Sequence, residues 1–130
     1  PVVPDLVFGD NLRAQDYAAL VFVGKETDEL VADPDVRRLT EEFLLHDKIV
    51  SALCVGQKVL VDLGYLRGRA VACNPLLKTA GAYEGAGVRL KFVDVHLDGP
   101  FLTGRLPSAA PAFTAALLDE LRKREGDARR

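Results

Sequence analysis

The chain has 130 residues, 48% of them hydrophobic and 28% charged, which fits one globular domain with a real core. Its 17 basic and 19 acidic side chains leave a net charge of −2, so no electrostatic footprint for nucleic acid is visible, and no apolar run approaches the ~18 residues that span a membrane. Two cysteines make no disulfide framework and no signal peptide is visible, so a reducing, cytoplasmic setting is the expectation. The chain contains no Met and opens "PVVPDL", which reads as a processed chain or a piece of something longer.

The elements follow in order. "DYAALVFVG" (residues 16–24) is an apolar run rich in β-formers and ended by glycine, a buried strand. "KETDEL" reads as a polar loop. "DPDVRRLTEEFLLHDK" carries Val36, Leu39, Phe43 and Leu44 at helical spacing, with Pro34 near its start. "KIVSAL" is a second buried strand, and "VGQKVLVDLG" a helix closed by a left-handed cap at Gly64. "RGRAVAC" is a third strand, stopped by Asn74-Pro75, and "PLLKTAGA" a short helix. "VRLKFVDVHLDGPFLTG" contains a hairpin turn at Asp98-Gly99, expected at a sheet edge. "PSAAPAFTAALLDELRKR" is the last helix, capped by Ser108, with Phe113, Leu117, Leu118 and Leu121 on its buried face. "EGDARR" (125–130) reads as a frayed, disordered tail after a domain over 1–124. Strands alternating with helices, and strands that are continuous apolar runs, predict an α/β domain with a mainly parallel sheet.

Chemistry concentrates at Cys54, on the joint between a strand and a helix. A helix N-terminus carries partial positive charge and free N–H groups, which favour a thiolate and could hold a developing oxyanion. Gly56 suits the crowding at such a turn. The other reading of Cys54 is an inert packing thiol, since free cysteine is among the most buried residue types. The residues alone leave both readings open.

The order and spacing of the elbow around Cys54, "GYLRGRAVA" and "DGPFLTGR" resemble the ThiJ/PfpI family, over roughly residues 4–121. That family includes intracellular protease/amidase-like proteins and belongs to the class I glutamine-amidotransferase-like superfamily. The resemblance implies a flavodoxin-like three-layer α/β/α sandwich, usually dimeric, with Cys54 as nucleophile or redox-sensing thiol. It also implies an oxyanion site built from the backbone N–H groups of Val55 and the Gly24 loop. Family members begin with a strand–helix–strand unit, and this chain starts after most of it, so the fold reads as incomplete at its N-terminal side. The expectation is a longer gene product or another chain that covers the gap; the alternative is a short protein that completes itself by dimerising.

Three positions depart from the family pattern. Protease-like members carry His directly after the cysteine, where this chain has Val55. Other members place His before the proline after the third strand, where this chain has Asn74, which can orient a group but takes no proton at neutral pH. The family's Pro-Gly-Gly loop is here Val23-Gly24-Lys25, and Lys25 could bring positive charge to the site. Glu29, or Asp28 beside it, matches the acid of the protease-like branch, and a solvated acidic loop is the alternative. Cys73, at the end of the third strand, is a candidate to resolve an oxidised Cys54 as a disulfide, or else a small buried strand residue.

His46 and His96 are separated and read as structural or exposed, so neither a metal site nor a cofactor is expected. Arg67 and Arg69 flank a turn glycine. They read as a solvated turn or, alternatively, an anion site. The resulting expectation is a cysteine-dependent hydrolase, deglycase or glyoxalase-type enzyme on small carbonyl or amide substrates, acting as a homodimer. The alternative is a non-enzymatic stress or redox-responsive protein of the same fold.

Overall fold

The computed structural model describes residues 13–24 and 27–128. Six strands run β1 (Ala19–Phe22), β2 (Ile49–Leu53), β3 (Ala70–Ala72), β4 (Arg89–Lys91), β5 (Val95–Asp98) and β6 (Phe101–Gly104). Five α-helices are α1 (Thr27–Ala32), α2 (Pro34–Leu45), α3 (Gln57–Asp62), α4 (Ala80–Gly85) and α5 (Ala110–Ala128). The main sheet has the order β1-β2-β6-β5, with β1, β2 and β6 parallel and β5 antiparallel at the edge. A second parallel pair, β3-β4, lies beside it.

The central strand β2 shows why a mostly apolar run was needed; its one polar residue, Ser51, is buried and donates to the Leu20 carbonyl at 2.9 Å. Side chains alternate faces along a strand. Val50 and Ala52 enter the larger core with Val36, Leu39, Phe43 and Leu60, on the face covered by α2 and α3. Ile49, with Leu53 beside it, packs against Leu102 and Phe113, on the face covered by α5. Helices on both faces of a mostly parallel sheet give the layered α/β architecture predicted from the alternation of elements.

Strand β3 joins the main sheet through side chains. The Ala70 N–H donates to Asp98 Oδ2 at 2.8 Å, and the Ala72 N–H donates to Thr103 Oγ1 at 2.9 Å. Arg69 donates to Asp98 Oδ1 at 3.1 Å and lies 5.4 Å from the ring centroid of Phe101. The Asp98-Gly99 turn therefore holds the start of β3, and Arg69 is spent on that turn.

Several boundaries differ from the sequence reading. "TDELVA" is the short helix α1 and not a loop; its buried Thr27 and the packing of α1 on α3 hold it in place. The segment after Asn74-Pro75 turns first, and its helix α4 starts only at Ala80. The hairpin has one edge strand, β5, whereas β6 lies inside the sheet with all four residues buried. Ser108 sits within a 3-10 turn (Pro107–Ala109) that leads into α5, and that turn has no side-chain cap. Leu118 faces solvent, while Phe113 is buried. The helix α5 continues to Ala128, past the start of the expected tail. α2 is capped by Asp33, whose Oδ1 accepts from the Asp35 N–H at 2.9 Å, and Gly64 takes the left-handed φ of 88° that its cap requires.

Candidate active site at the β2–α3 elbow

Strand β2 ends at Leu53, and Cys54 opens a single 3-10 turn (Cys54–Gly56) that runs into α3. Cys54 has φ = 55°, the left-handed region, which costs a residue with a Cβ about 1–2 kcal/mol. The turn is tight because β1 ends against it. A Cβ on Gly56 would collide with the backbone carbonyl of Phe22, so only glycine passes there. α3 itself is six residues long, shorter than the "VGQKVLVDLG" segment suggested.

Beside the elbow is a pocket of about 200 Å³, walled by Cys54, Val55, Gln57, Cys73, Tyr83 and Arg105. Both thiols of the chain thus share one cavity. Cys54 is partly exposed and Cys73 is buried, with its Sγ 3.6 Å from the carbonyl oxygen of Asn74. Burial pushes the Cys73 thiol up from its ordinary value, and the nearby Cys54 and Glu84 add to the effect. Tyr83, on α4, is also driven upward, first by burial and then by Cys73, Asp62 and Cys54. The exposed Leu77 stands at the margin of the same cavity.

Gln57 builds this site, and nothing in its sequence context marked it. Its carboxamide is buried and donates to the carbonyl oxygens of Ala72 at 2.9 Å and Gly104 at 2.7 Å. It ties the helix after Cys54 to the ends of β3 and β6, the strands that carry Cys73 and Arg105 at their ends. Arg105 pairs with Asp94 through Nη2 at 2.6 Å and lies 5.0 Å from the ring centroid of Phe92; its buried Nε has no hydrogen-bond partner among the described residues.

The remaining sequence candidates fall at varied distances from the pocket. Val55 lines it and is exposed. Gly24 lies two residues past Phe22, with φ = 113°, outside the pocket wall. Lys25 lies outside the described residues. Asn74 uses its side-chain oxygen on its own turn, accepting from the Leu76 N–H at 2.9 Å, and is not in the pocket wall. Glu29 is exposed on α1; its neighbour Asp28 reaches the elbow helix instead, 3.4 Å from Lys58 Nζ, which also pairs with Asp62 at 2.5 Å. His46 follows the C-terminus of α2 and His96 lies in β5, neither of them in the pocket wall. Among the described residues, no cluster of three or more His, Cys, Asp or Glu is arranged to hold a metal. No helix there is long and apolar enough to cross a membrane.

A parallel α/β sheet with a strained cysteine elbow above its strand ends defines a class of flavodoxin-like domains. Within that class the chain belongs to the DJ-1/PfpI family, whose family model matches residues 1–120. General stress protein 18 of Bacillus subtilis is 31% identical over 115 residues, covering 88% of this chain and 66% of that protein. A deglycase of Pyrococcus horikoshii is 29% identical over 105 residues, covering 80% of this chain and 61% of its own length. A solved two-domain protein from Anabaena variabilis, with DJ-1/ThiJ/PfpI-like and ferritin-like domains, superposes with a TM-score of 0.75 at 28% identity, over 85% of this chain and 32% of that one. The chain spans only part of the length of these relatives.

Proposed function

We propose that the protein acts through Cys54 on small carbonyl or amide compounds, as a hydrolase, deglycase or glyoxalase-type enzyme. One observation carries this reading: a non-glycine residue held at φ = 55° on the wall of a pocket and partly exposed there. Backbone strain of that kind persists only where the surroundings enforce it, and it gathers at functional sites. The deglycase among the relatives gives the chemistry a precedent in that protein. The sulfur of Cys54 would attack the electrophilic carbon, with the Val55 N–H beside it for the developing charge. A homodimer belongs to the same proposal, on the family resemblance, and sedimentation velocity would check it.

The test is the rate of iodoacetamide labelling at each cysteine from pH 5 to 9, read by peptide mass spectrometry. Cys54 should label at least about tenfold faster than the buried Cys73. Equal, slow labelling of both would make Cys54 a packing residue and end the enzyme reading.

A second reading has its own observation. Cys73 lines the same pocket and neither histidine does, an arrangement that suits reversible oxidation as well as turnover. One equivalent of hydrogen peroxide would convert Cys54 to the sulfenic acid with release of water, and the Cys73 thiol would then displace a second water to form a disulfide. Loss of two hydrogens from the intact mass, reversed by dithiothreitol and absent in Cys73→Ser, would support this reading.

A further inference from the structure

We propose that the groove between β4 and β5 is a second binding site, separate from the elbow pocket, and that it takes a small phosphate monoester with an apolar body.

The groove has a volume of about 510 Å³ and is walled by Arg89, Leu90, Lys91, His96, Leu97 and Asp98. That volume lies within the range of small-molecule sites. None of its wall residues lines the elbow pocket.

Strand geometry puts two cations on one bank. Arg89 and Lys91 stand two residues apart on β4, so they share a face at a spacing of about 6.6 Å. The residue paired with Arg89 on β3 is Ala70, whose short side chain leaves room beside the guanidinium. On the other bank, His96 and Asp98 stand two apart on β5 and share a face in the same way.

The charges on these banks do not cancel. Asp98 is the one carboxylate on the wall, and it is already engaged by the Ala70 N–H at 2.8 Å and by Arg69 at 3.1 Å. Arg89 gives Nη2 to the Gly68 carbonyl at 3.3 Å. Among the described residues, neither Arg89 nor Lys91 forms an ion pair with a carboxylate. Arg69, Arg89 and Lys91 thus set three positive charges against one negative, in a chain whose net charge is −2.

An excess of two positive charges matches a dianion. A phosphate monoester carries close to two negative charges above pH 7 and presents three acceptor oxygens. The guanidinium and the ammonium can each take an oxygen, and the His96 imidazole offers an N–H from the facing strand. A monocarboxylate would leave one cation unmatched. Leu90 and Leu97 supply apolar surface for the body of the ester, and Leu97 is 38% exposed with nothing covering it among the described residues.

The experiment is isothermal titration calorimetry of the full chain with phenyl phosphate at about pH 7.5. One equivalent should bind with a Kd of about 1 mM. Lys91→Gln and Arg89→Gln should each weaken it about fivefold, with melting temperatures kept, since both side chains are exposed. Benzoate, with a single charge, should bind about fivefold more weakly than phenyl phosphate. Raising the salt to about 0.5 M should also weaken binding, because the interaction is between partly exposed charges. Binding that survives both substitutions but is lost in Lys58→Gln would put the ester in the elbow pocket and overturn the proposal. No binding at about 20 mM ester would overturn it as well. Self-association of an Arg89→Gln, Lys91→Gln double variant, together with absent binding, would assign the two cations to keeping the β4 edge from pairing with another chain.

Discussion

The carboxamide of Gln57 donates a 2.9 Å hydrogen bond to the carbonyl oxygen of Ala72, the residue before the second thiol. The same nitrogen donates to the Gly104 carbonyl at 2.7 Å. One buried side chain thereby fixes the spacing of the elbow, β3 and β6, and with it the width of the pocket. Neither thiol could hold its position on the wall if those strand ends drifted.

Replacing Gln57 with Met should therefore destabilise the protein by about 2–3 kcal/mol. Met fills nearly the same volume but strands two buried carbonyl oxygens, and the loss lies mainly in their desolvation. Urea denaturation would read this as a lower midpoint at unchanged slope. A change below about 0.5 kcal/mol would mean that the two carbonyls find other partners.

Cys54→Gly and Cys54→Ala should separate strain from chemistry. Both remove the sulfur and should abolish labelling at this position. Glycine is ordinarily the poorer residue for stability, but at φ = 55° it relieves the strain that alanine keeps. Cys54→Gly should thus be more stable than Cys54→Ala by about 1 kcal/mol in parallel thermal melts. The reverse order would show that the elbow is relaxed in solution.

Asp98 links stability to acid. The Ala70 N–H holds its carboxyl below the usual carboxylate range; burial opposes this, and Arg69 and Arg89 add to it. Because the folded-state pKa is depressed, the stabilisation is complete above the unfolded value of ~3.9 and is lost as pH falls through the lower folded value. The melting-temperature gap between wild type and Asp98→Asn should accordingly be constant from pH 5 to 7 and close below about pH 4. A gap that persists unchanged at pH 2 would assign the effect to packing and not to charge.

Much of the scaffold was legible in the residues. "KIVSAL" is a central strand because both faces of β2 are buried, which a mostly apolar run satisfies, with Ser51 hydrogen-bonded to the Leu20 carbonyl. Pro34 and Gly64 announce helix ends because a fixed φ in the first turn and a left-handed φ past the last are local demands. "TDEL" misled because its polarity matched a loop, whereas packing of α1 on α3 stabilises a helix there. Gln57 stayed silent for a related reason: a polar residue within a helix carries no local mark of what its side chain will meet.

The sequence by itself determined the alternation of strands and helices, the turn at Asp98-Gly99 and a cysteine placed between β2 and α3. Those features follow from side-chain periodicity and backbone preference, which act over a few residues. Only the tertiary structure decided that Cys54 and Cys73 share a pocket and that Gln57 sets its width. These are relations between groups 15 to 47 residues apart, such as Gln57 with Ala72 and Gly104. Chain connectivity does not encode them; close packing of the finished core does.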